Sequence, residues 1–269
     1  MTQPTTGSVP GLDLQHLAGL RQPPHDEADI IGQITAHVEA HDGYLAFSGG
    51  KDSLVALHLA RQAEPNIPVV FFDSGLEYPE TYTYIADLTE AWDLNLDVIR
   101  TKRTTLEVLA ANGTWSHHRT VTAQASLLNN NIVNPAAEAH RRYGHGELWG
   151  LRAEESASRR VMFATALRND PNPETAGGVC HRRDGTVTYS PVWNWTTTQI
   201  WGHISRHRLP TNPVYTKLQA LGAPPHSVRV SHMLDATDLE HGRLVWLKRG
   251  WPALFEMITA ALPRAAEHV

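Results

Sequence analysis

Residues 44–60 read YLAFSGGKDSLVALHLA, and this stretch restricts the fold more than any other part of the chain. Four apolar residues, 44–47, run directly into Ser48-Gly49-Gly50-Lys51-Asp52-Ser53, after which the apolar spacing becomes that of a helix. A strand, a glycine-rich turn and a helix in direct succession belong in a parallel α/β sheet. The two glycines let main chain approach an anion with no Cβ in the way, while the helix's first N–H groups and its dipole favour negative charge there. Lys51 adds a mobile cation, and Ser48 and Ser53 add hydroxyls. Asp52 makes sense beside phosphate if a divalent cation bridges the two, so Mg²⁺ held by Asp52 is expected. A Walker A loop would need Gly where Leu45 stands and Ser or Thr where Asp52 stands, so this turn is a different cradle. The bland alternative is a glycine turn beside an ordinary surface lysine.

The rest of the chain extends the same pattern. An apolar run at 69–72 ends in Asp73-Ser74-Gly75, and a helix is expected from Pro79, where a missing N–H does no harm. A third strand is expected at 94–99, a helix at 105–111, a polar helical insertion at 117–143 and a fourth strand at 148–151. A helix to about residue 167, a hairpin over 179–190 around Asp184-Gly185, and a helix over 196–207 capped by Thr196 complete the series. The expected fold class is α/β: a Rossmann-like three-layer sandwich of about five mostly parallel strands. Residues 1–27 read as a loosely ordered arm with at most one helical turn, residues 28–223 as the nucleotide-binding domain, and residues 224–269 as a helical extension. Apolar residues of that extension, among them Leu244, Val245, Leu247, Trp251, Leu254, Phe255 and Ile258, need a partner surface. Either the same chain or a second copy in a homodimer would supply it.

Lys and Arg total 23 against 28 Asp and Glu, a net charge of −5, so no global basic field marks a nucleic-acid binder. Local clusters such as Arg141-Arg142 and Lys248-Arg249 keep a nucleic-acid platform as the rival reading. No apolar run reaches the roughly 20 residues of a membrane span, so a cytoplasmic protein is expected. The single cysteine, Cys180, excludes an internal disulfide, a Cys-x-x-Cys pair and a chain-internal four-cysteine cluster. His181, Arg182 and Arg183 beside it would lower its thiol pKa and suit a sulfur relay; a small residue filling a hairpin is the alternative. His203 and His207 share a helix face but have no evident third ligand, and with His117-His118 they read as solvent-facing. Trp193, Trp195 and Trp201 read as packing residues of the third layer.

Four segments in order carry a family resemblance over roughly residues 43–216: the SGGKDS turn, FFDSGLEYPETYTYI, WGLRAEESASRR, and YSPVWNWTTTQIWGHISRHRLPTNPVY. The chain resembles the phosphoadenylyl-sulfate reductase-like branch of the PP-loop ATP pyrophosphatase, or adenine nucleotide alpha hydrolase, superfamily. The resemblance implies that Ser48, Gly49, Gly50, Lys51, Asp52 and Ser53 hold phosphates, and that Asp73, Ser74 and Gly75 hold adenosine. It implies that Arg152, with Glu154, Glu155 and Arg159 or Arg160, faces the same crevice, where the arginines would bind an anionic substrate. For the two glutamates, a salt-bridged helix start is the competing account.

The resemblance breaks at the carboxyl end, where relatives carry a Glu-Cys-Gly-x-His pattern and this chain ends PRAAEHV. With no cysteine after Cys180, the sequence favours an ATP- and Mg²⁺-dependent enzyme that cleaves ATP at the α-phosphate. Lys51, Asp52 and Arg152 would act in the adenylation of a small anionic substrate, and thiol-dependent sulfonucleotide reduction is not expected. Sulfate adenylyltransferase-like and sulfur-transfer activities on nucleic acid are the alternatives within that reading.

Overall fold

The computed structural model describes residues 10–21, 25–112, 127–169, 177–230, 234 and 243–269. Six strands form one sheet: β1 (Gly43–Ala46), β2 (Val69–Asp73), β3 (Leu96–Arg100), β4 (Gly146–Trp149), β5 (Val179–His181) and β6 (Val187–Tyr189). Their spatial order is β3-β2-β1-β4-β6-β5, parallel throughout except for the β5–β6 hairpin at one edge. The chain builds outward from β1 to β3, then returns to lay β4 on the other side of β1. That reversal opens a crevice beyond the carboxyl ends of β1 and β4, the usual ligand position in such sheets.

Alternation along β1 explains the layers. Leu45 and Phe47 enter the larger core on one face, while Tyr44 and Ala46 join Val70, Ile99 and Ala139 on the other. Both faces are covered, which is why β1 and β2 read as unbroken apolar runs. The larger core is roofed by α2 (Glu27–Ala40), α3 (Lys51–Ala63) and α4 (Pro79–Trp92), and α5 (Thr105–Ala111) adds Leu106 and Leu109 to it. The other face is covered by α6 (Asn134–Tyr143), entered through a π-helical turn at Asn129–Val133. Then come α7 (Ala157–Asn169), α8 (Thr197–His207), α9 (Pro213–Ala220), α10 (Arg243–Gly250) and α11 (Pro252–Ala261). Capping boxes start α5 at Thr104 and α8 at Thr196, as the Thr-x-x-Glu and Thr-x-x-Gln spacings require.

Three expectations change. The amino-terminal segment holds a three-turn helix, α1 (Pro10–Leu20), in place of a loose arm. Its Gly19 meets Gly202 of α8 so closely that a Cβ on Gly19 would lie 2.4 Å from the Gly202 nitrogen. Backbone-to-backbone contact between two glycines, invisible to apolar periodicity, holds α1 in place. Six strands replace about five, and β3 begins at Leu96, two residues past its expected start. The apolar carboxyl-terminal residues find their partner within the chain: Leu244, Leu247, Trp251, Leu254 and Ile258 are buried in the larger core. Of the polar insertion expected at 117–143, only residues from 127 onward lie among the described ones, and His117 and His118 fall outside them.

One charge lies inside the sheet. Glu147 of β4 is 1% exposed and accepts from Tyr44 Oη at 3.0 Å and from Thr188 Oγ1, with His140 Nε2 at 3.1 Å and Arg182 Nη2 at 2.9 Å. Burial alone would raise its pKa, but the His140 and Thr188 hydrogen bonds and the Arg182 charge hold it at about 2. A carboxylate depressed in this way stabilises the fold fully above its unfolded value and loses that contribution as pH falls through about 2. Glu147→Gln should therefore flatten the acid limb of stability below pH 5. At neutral pH it should cost on the order of 3 kcal/mol, read from urea melts at stepped pH.

Candidate active site

The turn after β1 is built as an anion cradle. Gly49 sits at φ +71°, a conformation that favours glycine, and Gly50 caps α3 in extended geometry. Ser53 Oγ donates to the Gly50 carbonyl at 3.0 Å and receives the Ser48 N–H at 3.3 Å, closing the turn on itself. The Lys51 N–H donates to Tyr215 Oη at 2.8 Å. Among the described residues no carbonyl accepts from the Asp52 or Ser53 amides, so the start of α3 keeps donors for an anion.

Elements distant in sequence fix this turn. Asn212, 1% exposed, donates to the Gly49 carbonyl at 3.3 Å and to Thr81 Oγ1 at 3.0 Å, while its Oδ1 caps α9 through Val214 N at 3.0 Å. The Leu-Pro-Thr-Asn-Pro-Val-Tyr stretch thus acts through Asn212 and Tyr215, two residues that sequence reading passed over. The signal was present, since both lie in a motif quoted for its family order.

Arg152 follows β4 and is 2% exposed. Its Nε donates to Asp52 Oδ1 at 2.6 Å, Nη1 to Glu154 Oε2 at 2.6 Å and to the Trp195 carbonyl at 3.0 Å, and Nη2 to Thr197 Oγ1 at 3.1 Å. Four of the five guanidinium N–H groups are thereby engaged by protein. Arg152 braces the crevice wall, with most of its donors spent on protein partners. Asp52 is correspondingly committed: its second oxygen meets Lys51 Nζ at 2.6 Å. Burial would raise the Asp52 pKa, yet the Lys51 and Arg152 charges together hold it below the usual carboxylate range. A carboxylate already shared by two cations does not suit Mg²⁺, which needs oxygen ligands free to complete an octahedron. The donor set at Asp52 therefore does not fit the expected metal.

The crevice encloses about 460 Å³. Ser48, Gly50, Lys51, Asp52, Ser53, Ser74, Arg152, Glu155 and Arg159 line it, joined by Gln15 of α1, Glu77, Tyr215, Arg229 and Leu234, none of which was singled out from sequence. Four expected residues stand outside the lining. Gly49 faces Thr81 and Ile85, and Gly75, at φ +70°, packs on Thr104. Asp73 accepts from Gly75 N at 2.9 Å and Tyr82 Oη at 2.8 Å, so it builds the turn and does not face the cavity. Arg160 is exposed, whereas Arg159 pairs with Glu155 at the cavity wall. Glu77 has one oxygen on Ser74 Oγ at 3.1 Å and the other sealed from solvent without a partner. Burial pushes its pKa up to about 8, against the Ser74 hydrogen bond and with help from the Asp73 charge.

A model of the phosphoadenosine phosphosulfate reductase domain matches residues 43–225. The chain belongs to the phosphoadenosine phosphosulfate (PAPS) reductase family. It is 28% identical over 208 residues to a PAPS reductase of Alkalilimnicola ehrlichii, covering 76% of this chain and 77% of that one. A PAPS reductase of Xylella fastidiosa strain 9a5c is 31% identical over 173 residues, 64% of this chain and 66% of the relative. The fold is shared with PAPS reductase from Candida auris, with a TM-score of 0.51 at 18% identity over 78% of this chain and 90% of that chain. Sheet order and crevice agree with the PP-loop superfamily expected from the SGGKDS turn.

These relatives overturn the expected reaction. ATP-dependent adenylation with pyrophosphate release gives way to the PAPS reductase family, and the exclusion of sulfonucleotide reduction falls with it. That inference leaned on a carboxyl-terminal cysteine alone, whereas the family match rests on most of the domain. Cys180 needs correcting as well. It is half-buried on β5, away from the crevice lining, and burial pushes its thiol pKa up more than nearby Arg182 lowers it. Several basic residues that suggested a nucleic-acid face are paired with acids: Arg141 with Glu138, Arg142 with Glu138 and Asp97, and Arg182 with Glu147. Among the described residues no helix is long and apolar enough to cross a membrane.

Two variants separate brace from ligand. Arg152→Ala leaves Asp52 with Lys51 as its remaining cation and the Trp195 carbonyl without this donor, and should cost about 1–3 kcal/mol of folding stability in urea titrations. Arg159→Ala, at a partly exposed position, should leave stability within about 0.5 kcal/mol while weakening the binding of anionic nucleotides.

Proposed function

We propose that the protein binds an adenylyl sulfonucleotide of the PAPS type in the crevice beyond β1 and β4 and reduces its sulfuryl group with a dithiol brought by a second molecule. One observation carries the reading: the open start of α3, with Lys51 beside it, faces a cavity of about 460 Å³ in a chain whose named relatives are PAPS reductases. A cavity of this size suits a nucleotide-sized ligand. The 5′-phosphosulfate lies on the Asp52 and Ser53 amides and Lys51, where charge develops as the nucleotide phosphate leaves. Arg159 and Arg229 supply further positive charge along the wall.

The electron source lies outside the chain because one cysteine cannot form an internal disulfide. A thiolate of the reductant attacks the sulfuryl sulfur. The S–O bond to phosphate breaks, and the electron pair leaves with adenosine bisphosphate. The second thiolate then attacks the first sulfur, expelling sulfite and closing a disulfide. Two electrons pass from dithiol to sulfur, and the two thiol protons go to solvent.

Incubation with PAPS and a protein or small-molecule dithiol should release sulfite and adenosine bisphosphate in equal amounts. Lys51→Ala should weaken PAPS binding by about 1.5–3 kcal/mol, roughly ten- to a hundredfold, in calorimetry. Cys180→Ser should leave sulfite release within about twofold, since a thiol of raised pKa is a poor nucleophile. Absence of PAPS binding at millimolar ligand would sink the reading, and loss of activity in Cys180→Ser would replace the external thiol with Cys180.

A further inference from the structure

His203 and His207 do not face solvent as a pair. His203 is 1% exposed, and its ring lies 4.3 Å from that of His207, one turn further along α8. The first residue of α2, Glu27, reaches both: its Oε1 is 3.3 Å from His203 Nδ1 and 2.8 Å from His207 Nε2. Donor atoms of all three residues lie within 4.8 Å of one another. We infer that Glu27, His203 and His207 form a site for a tetrahedral transition-metal ion of the zinc class, with water in the fourth position.

Edge length supports the geometry. A tetrahedral zinc ion with ligands at about 2.0–2.1 Å has neighbouring donors roughly 3.3 Å apart, close to the 3.3 and 2.8 Å that separate Glu27 Oε1 from His203 Nδ1 and His207 Nε2. The outer partner is also in place. His203 Nε2 lies 3.0 Å from His58 Nδ1 on α3, so coordination through Nδ1 leaves the other ring nitrogen to donate to His58. A ligating histidine is normally oriented by such a second hydrogen bond. Nearby cations point elsewhere: Arg206 Nη2 donates to the Gly19 carbonyl at 3.2 Å, and the Arg61 guanidinium stacks 5.7 Å from the Trp92 ring. The ion would tie the start of α2 to α8, whose Thr197 holds Arg152 and Glu154. It would act as a staple behind the crevice and stand clear of the nucleotide.

The test uses full-length, untagged protein, titrated with Zn²⁺ by calorimetry and with Co²⁺ by visible absorption. The expected result is one equivalent per chain, an intense tetrahedral Co²⁺ spectrum and a Zn²⁺-dependent rise in Tm. Glu27→Gln and His207→Ala, at partly exposed positions that spare the core, should abolish all three signals. His58→Ala should weaken affinity about 10–100-fold without changing the stoichiometry. No stoichiometric binding in the parent protein overturns the proposal and leaves a hydrogen-bonded cluster. Binding that survives both Glu27→Gln and His207→Ala overturns it too, because the metal then sits on other histidines. None of these readouts depends on PAPS turnover.

Discussion

The ion pair between Asp52 and Arg152 holds the crevice together. One partner begins α3 and the other follows β4, so the bond spans the point where the sheet reverses direction. Both are well buried, and two buried charges stabilise a fold only when their remaining donors and acceptors are also satisfied. Lys51 takes the second Asp52 oxygen, and Glu154, Thr197 and the Trp195 carbonyl take the other Arg152 donors. The loop after β1, the turn after β4 and the start of α8 are thereby set by one network. Gly150 belongs to the same arrangement: a Cβ there would lie 2.5 Å from the Ser53 nitrogen, so β4 reaches the helix start only because that residue has no side chain.

Local signals in the sequence carried the architecture well. Apolar runs ending in SGGKDS and DSG, Pro79 at a helix start, and the Asp184-Gly185 hairpin all correspond to observed elements. In each case residues within one turn or strand impose the geometry. The family was legible for a different reason, because four motifs stood in order. Sequence reading went astray where the deciding partner was far along the chain. The contact holding α1 is Gly19 on Gly202, residues that carry no pattern. Asp52 looked like a metal ligand because Arg152, a hundred residues away, could not be seen to claim it. His203 and His207 read as solvent-facing because Glu27, which meets both, lies 176 and 180 residues earlier.

Cys180 illustrates the same lesson in electrostatics. Its sequence neighbours are basic, and proximity in sequence suggested an activated thiolate. In the fold Arg182 turns to the buried Glu147, which neutralises much of its field, and the strand buries the thiol. Arg182 still lowers the thiol pKa, but the cost of burying a thiolate outweighs it. The adenylation reading erred similarly, by weighing one missing residue above a domain-wide match.

The α1 helix has a consequence for how the unit should be delimited. Gln15 from that helix and Leu234, beyond the last position matched to the family, both contribute to the crevice wall. A fragment trimmed to the recognised domain would keep the glycine loop and the sheet yet lose a panel at either side. Water would then enter a space that the intact chain screens, and the core would lose Ile34, Leu244, Leu247, Trp251 and Ile258, so the working unit extends past the recognised domain on both sides.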